Sequence, residues 1–241
     1  GTFDGNEKTI DNFVIELAGP AAFFGRTNGS AVVKDLTFGK GCSFTTTAST
    51  PVSDEDFYTN NRMYAAAVVC EAKDKSTFSN IKNYGSVTAT GTGASSGNYI
   101  AGVVASYESS NNIVGCVNYG GITYSGTPKS WTNVGGCFGQ VTLVVQLNGC
   151  ENHGFVQFGG TNRSNSRLNL GGIVGGIGNI TSFNECKNLG KVECNAKAKH
   201  YGNVHIGGLI GYVDKNILGT MTACSNGSDT DATKGALSNN A

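Results

Sequence analysis

The residues of this chain that could do chemistry are few, and their spacing limits what they can do. The stretch "LGGIVGGIGNI" at 170–180 places Gly172, Gly175 and Gly178 as a spaced fingerprint that could cradle a phosphate on backbone amides. A dinucleotide loop of that kind opens a helix and is followed by an acidic residue about 20 positions later. Nothing from Asn179 onward reads as an amphipathic helix. His153, His200 and His205 match no metal-ligand spacing, and the 8 cysteines include no C-x-x-C pair, so neither a metal nor another cofactor is expected. Acidic residues (Glu71, Asp74, Glu108, Glu151, Glu185, Glu193, Asp214) are scattered rather than paired as glycoside hydrolysis requires. Asp54, Glu55 and Asp56 read as solvated charge in a long loop, and no Ser-His-Asp set is recognisable.

What does recur is cations beside aromatics. Lys129 and Trp131 are followed by Arg163 and Arg167, then by Lys197, Lys199, His200 and Tyr201. These fall in Ser-, Thr-, Asn- and Gly-rich stretches at 43–64, 88–99, 123–133, 157–169 and 193–205, which read as exposed loops. Lys129, Trp131, Arg163, Arg167, Lys199 and Tyr201 are therefore the candidate ligand residues, for a glycan or a protein partner.

The elements that must hold this strip come from an internal repeat. "IKNYG" at 81–85 returns as "CVNYG" at 116–120, "CENHG" at 150–154, "CKNLG" at 186–190 and, frayed, as "CSNGS" at 224–228. Their asparagines, Asn83, Asn118, Asn152, Asn188 and Asn226, are 35, 34, 36 and 38 residues apart. Upstream of each lies a small-residue apolar signature: "AAVVC", "AGVVA", "GGCFG", "GGIVG" and "GGLIG". A weaker copy begins at "AAFFG" (21–25), and "TIDNFVIEL" at 9–17 reads as half of another. The glycines at 172, 175 and 178 thus belong to a theme stated five times, which removes the nucleotide reading.

Short apolar runs and period-two alternation are strand language. The pattern predicts an all-β, single-stranded parallel β-helix of about six coils of 34–38 residues plus an N-terminal half coil, with a β-propeller as the rival. Each copy offers about three strand candidates. Identical columns should then stack ~4.8 Å apart. Ala67, Val103, Cys137, Ile173 and Leu209 form one expected apolar ladder; Ile81, Cys116, Cys150, Cys186 and Cys224 form a second; Val87, Ile122, Val156 and Val192 form a third. The asparagines suit a coil corner where stacked amides pair along the axis. Gly85, Gly120, Gly154 and Gly190 are expected to supply positive φ there. In an inward column cysteine acts as a small hydrophobe, which favours stacked thiols over disulfides. One domain is expected over 1–230, with 1–20 as half coil or cap and 231–241 as a frayed tail.

Composition narrows the class. Glycine supplies 36 residues and proline 3, and 17 basic residues balance 17 acidic ones, so no global field points to nucleic acid. No apolar run of about 18 residues would span a membrane. The chain does not begin with Met and shows no signal peptide, as a mature or trimmed chain would. Asn28, Asn162, Asn179 and Asn226 head N-x-S/T sequons, which matter only in a eukaryotic secretory pathway.

The opening "GTFDGNEKTIDNF" (1–13) resembles the G-x-F-D-G-N-G-x-T-I-x-N-L start of repeat regions in bacterial surface proteins. "GGIVG" and "GGLIG", with Asn-x-Gly-x-Val elements such as "NLGKV", resemble the GLUG motif of secreted adhesin-like proteins, also found beside some immunoglobulin A proteases. The chain departs from that pattern in using Ala for Gly in its first copies and in its run of Cys. The resemblance implies an extracellular or outer-surface location on a bacterium, often with an upstream lipid anchor, and brings no catalytic residues. The expectation is an adhesin-like, non-enzymatic module binding a glycan or a host or matrix protein through one edge. A structural spacer and a polysaccharide lyase or glycoside hydrolase are the alternatives.

Overall fold

The computed structural model describes residues 1–47, 62–143, 146–161, 166–179, 182–196, 203–214, 220–227 and 237–239. Every strand pair among them is parallel and joins neighbouring copies of the repeat, so the coils stack and the propeller rival is excluded. Four sheets run along the stack. Sheet I holds Met63–Ala66, Asn98–Ala101, Trp131–Gly135, Arg167–Gly171 and Asn203–Gly207. Sheet II is six-stranded, from Phe24–Thr27 through Val69–Asp74, Val104–Ser109, Phe138–Val141 and Val174–Ile177 to Ile210–Val213. Sheet III, with Thr77–Asn83 at its centre, has eleven strands, and sheet IV, with Ile122–Tyr124, has seven. A copy therefore passes through four sheets rather than three strands.

Sheet III is bent within every coil. Asp35, Asn80, Gly115, Gly149, Glu185 and Ala223 all have φ between 51° and 64°, and each stands three positions before the asparagine column or its equivalent. This left-handed rung splits the later strands in two, as at Ile113–Val114 and Val117–Asn118. The glycines at 85, 120, 154 and 190 are not among the positive-φ residues. Their requirement is close approach: a Cβ on Gly120, Gly154 or Gly190 would stand 1.8 to 1.9 Å from the carbonyl oxygen of the glycine one coil before.

The interior is filled by columns. Cys116, Cys150 and Cys186 are fully buried, Cys224 partly, and all eight cysteines are free thiols. Val87, Ile122, Val156 and Val192 pair rung to rung. In the first ladder Val68, not Ala67, pairs with Val103; Ala66 aligns with Ala101, which puts Ala67 opposite Gly102. Both Ala67 and Val68 are buried, so hydrophobicity alone did not separate the two registers.

The asparagines form a continuous ladder at the corner. Asn83, Asn118 and Asn152 each donate Nδ2 to the Oδ1 of the next asparagine at 2.8–2.9 Å, and Asn188 donates likewise to Asn226. The same nitrogens donate to the carbonyls of Gly85, Gly120, Gly154 and Gly190. Four otherwise costly buried amides are thereby satisfied.

At the N-terminal end, Phe3, Phe13, Phe23, Phe24, Phe38 and Phe44 pack ring against ring at 4.8–5.8 Å, mostly edge to face. At the other end, Leu237–Asn239, within the expected frayed tail, pairs with Val192–Cys194 as a seventh strand of sheet IV, and the rest of 231–241 lies outside the described residues. Unpaired edge amides of a terminal strand recruit whatever backbone is near.

Candidate functional site

The repeated glycine signature sets the site by folding the chain sharply between sheets I and II. A Cβ on Gly135, Gly171 or Gly207 would lie 1.8 to 1.9 Å from the carbonyl oxygen of the residue three positions on (Phe138, Val174 or Ile210). The outer faces of the two sheets are thereby turned toward each other, and a groove runs along the stack between them. Its walls are the residues that flank the signature on either side. On sheet I, Tyr64, Tyr99, Asn133, Asn169 and His205 align in one column. On sheet II, Glu71, Ser106, Gln140, Gly176 and Tyr212 align opposite. Members of a coil meet across the groove: Asn133 Nδ2 donates to Gln140 Oε1, and the His205 and Tyr212 rings lie 5.0 Å apart.

The early end is ionic. Glu71, almost wholly buried, receives Arg26 Nε at 3.1 Å, Lys73 Nζ at 3.3 Å and Arg62 Nη1 at 3.9 Å. Arg62 and Lys73 also reach Glu108, at 3.5 and 3.6 Å. Tyr64, Cys70, Tyr99 and Ala105 form a small apolar cluster separate from the main core, beneath these charges. Burial pushes the Tyr64 phenol above its usual range. A carboxylate held by three cations is positioned as an anchor.

The late end is aromatic. The Arg167 guanidinium lies 3.9 Å from the Trp131 ring centroid and 5.0 Å from that of Tyr212, and its Nη1 donates to the Tyr212 hydroxyl at 3.1 Å. Tyr212 donates in turn to Asp214 Oδ1 at 3.4 Å. Beneath them runs a directed amide chain: His205 Nδ1 to Asn169 Oδ1 at 2.7 Å, Asn169 Nδ2 to Asn133 Oδ1 at 2.6 Å, then Asn133 to Gln140. With the Asn169 amide nitrogen on Asn133, its oxygen faces the His205 ring. Burial, then the Arg167 charge, holds the His205 pKa below the usual imidazole value. At the late end, reaching back to Tyr99, lies a depression of about 290 Å³ whose lining includes Tyr99, Trp131, Asn133, Gln140, Tyr212 and Asp214.

Of the residues singled out in the sequence, Trp131 and Arg167 come together, but as the first residues of adjacent strands of sheet I rather than on loops. The strand begins earlier than the polar composition suggests because Thr132 and Leu168 already point into the core. Lys129 is exposed, two positions before Trp131. Arg163, Lys199 and Tyr201 lie outside the described residues. Sequence reasoning missed Tyr99, Ser106, Asn133, Gln140, His205 and Tyr212. The signal for them was present: in each copy the two positions bracketing the signature vary in chemistry while the signature does not.

No family model matches the chain, and no curated protein matches it. Its fold is similar to a solved structure described as a "putative immunoglobulin A1 protease from Bacteroides ovatus", with a TM-score of 0.64 and 16% identity over 92% of this chain. The chain spans 58% of the length of that protein, and at this identity the likeness is one of fold.

Proposed function

We propose that this chain is a non-catalytic binding module, displayed outside a bacterial cell, that holds an extended glycan in the groove between sheets I and II. The observation that carries this reading is Trp131. It is 41% exposed in a groove walled by tyrosines and amides, with one face covered by Arg167. An aromatic face beside directed polar groups is the usual currency of sugar recognition, and Trp131 is an exposed large apolar side chain that also lines the depression. The repeat supports the reading too. A column architecture holds its interior constant and leaves the groove walls free to differ from coil to coil, which suits an elongated ligand. The resemblance to adhesin-like repeat proteins supports the extracellular placement. Catalysis has weaker support: Glu71 and Glu108 share Arg62 and Lys73 as counter-ions, which suits an ion-pair cluster more than an acid and base pair.

An immobilised-glycan panel probed with wild type, Trp131→Ala and Tyr212→Ala tests this. At least one glycan should be retained by wild type and lost by about tenfold or more in each variant, with far-UV circular dichroism unchanged. Absence of any hit, or hits indifferent to both substitutions, would refute groove binding. New reducing ends or unsaturated-uronate absorbance in the bound glycan would make the chain an enzyme instead.

A further inference from the structure

The groove holds one buried polar atom that folding does not explain. Ser106 is 1% exposed, and its Oγ has no hydrogen-bond partner among the described residues. A buried hydroxyl without a partner is destabilising by itself, and the same position is Glu71 one coil before and Gln140 one coil after, both engaged. By register, Ser106 stands opposite Tyr99 in the columns that wall the groove, one coil before Gln140, which with Tyr99 and Trp131 lines the depression. Gly97 contributes to the same place. A Cβ there would meet the Tyr99 hydroxyl at 2.6 Å, so glycine lets the phenol lie back along its own strand. In the column of Trp131, Arg167 covers one side of the indole, while the coil on the other side presents Gly97 and no side chain.

We infer that the segment of groove between Tyr99 and Trp131 is a subsite for one neutral pyranose ring, stacked on Trp131, with a ring hydroxyl donating to or accepting from Ser106 Oγ. This rests on the glycan reading above and narrows it. The charge pattern selects a neutral sugar. The two nearby arginines are engaged, Arg62 by Glu71 and Glu108 and Arg167 by Trp131 and Tyr212. The depression itself is bordered by the Asp214 carboxylate. A uronate placed there would meet the Asp214 carboxylate, and its nearest cation, Arg167, is already held against Trp131 and Tyr212, whereas a hydroxyl serves Ser106 in either hydrogen-bonding sense.

The experiment uses the fact that the chain has 1 tryptophan, so its emission reports this subsite alone. The whole chain is titrated with neutral gluco-, manno- and galacto-oligosaccharides and with oligogalacturonates of matched length, while tryptophan fluorescence is read. A saturable change with a neutral series, weakened about tenfold in Ser106→Ala, supports the subsite. Ser106→Ala should fold with a midpoint equal to or above wild type, because it removes an unpaired buried hydroxyl. That result separates lost binding from lost structure. If only the oligogalacturonates bind, the neutral subsite falls and glycan binding stands. If a neutral series binds Ser106→Ala as tightly as wild type, the role of Ser106 falls. If no sugar in either series or on the wider panel binds, both readings fall.

Discussion

Two kinds of glycine hold this fold for two different physical reasons. Gly149 has φ +59° with open space around its α-carbon, so only conformation argues for glycine there. Gly154 has no such φ, but a Cβ on it would lie 1.9 Å from the carbonyl oxygen of Gly120 in the preceding coil. Gly149→Ala should therefore cost about 1–2 kcal/mol, the ordinary penalty of a left-handed alanine. Gly154→Ala should cost more, about 3 kcal/mol or loss of folding, because backbone on both sides must part and the stack has no slack. The left-handed rung also contains Ala223, at φ 53°. Ala223→Gly removes the same penalty and should stabilise by up to about 1 kcal/mol, offset in part by glycine's greater unfolded entropy. Urea midpoints of the three variants check all three signs, and equal losses at 149 and 154 would contradict the distinction between them.

At the scale of an element, the asparagine ladder behaves as one polar spine rather than as separate side chains. Asn152 donates to Gly154 and Asn188 and accepts from Asn118, all at 2.8 Å. Asn152→Ala leaves the Gly154 carbonyl unpaired in a buried corner and takes one of two partners from the Asn118 amide nitrogen, which keeps the Gly120 carbonyl, and from Asn188 Oδ1, which keeps the Gly190 N–H. With the orphaned carbonyl costing about 1–3 kcal/mol and two broken ladder bonds about 1 kcal/mol each, a loss of about 3 kcal/mol or more is expected. Asn226, exposed at the end of the ladder, accepts from Asn188, and Asn226→Ala should cost about 1 kcal/mol because water reaches the site. Thermal unfolding of the two variants measures the contrast, and equal losses would show that the ladder is not cooperative. This spine was legible in the sequence, because an interval of 34–38 residues between like residues leaves a stacked coil as the economical explanation. The fold class followed from the same interval. The variation at the positions bracketing the signature was visible in the sequence, but their meeting across a groove was not. Tyr99 and Ser106, or Asn133 and Gln140, become neighbours only because the signature between them folds back on itself, and nothing in residue type announces that two strands will meet by their outer faces. Trp131 and Arg167 were found for their chemistry but assigned to loops, since their inward-facing neighbours Thr132 and Leu168 sit within polar stretches. The glycines of the Asn corner were read correctly as glycine-requiring, with the wrong cause, because φ is invisible until the rung three positions earlier is seen to carry it.

For the whole molecule, the column of thiols links the interior to pH. Burial pushes Cys70 and Cys137 well above the usual thiol range, and at Cys150 and Cys186 the hydrogen bond with the neighbouring thiol of the ladder leads the upward shift and burial adds to it. Tyr107 is pushed up to about 12 by burial, and Tyr64 and Tyr124 are raised for the same reason. The sign follows from linkage. Folded thiols keep their protons where unfolded ones, with a pKa of about 8.5, lose them; the native state then binds more protons than the unfolded state, and stability falls as pH rises. The contribution is complete below about pH 8 and is lost progressively above about 8.5, by about 1.4 kcal/mol per pH unit for each buried thiol, with the tyrosines joining above about 10. Reducing conditions and urea midpoints at pH 7, 8, 9 and 10 should show a steepening decline. Cys186→Val, which keeps an apolar occupant in the column, should flatten that decline by the share of one thiol while leaving the pH 7 midpoint within about 1.5 kcal/mol of wild type. Stability that stays level to pH 10 would mean that the sulfurs are already ionised or oxidised in the folded chain, and the column would then be something other than a stack of buried hydrophobes.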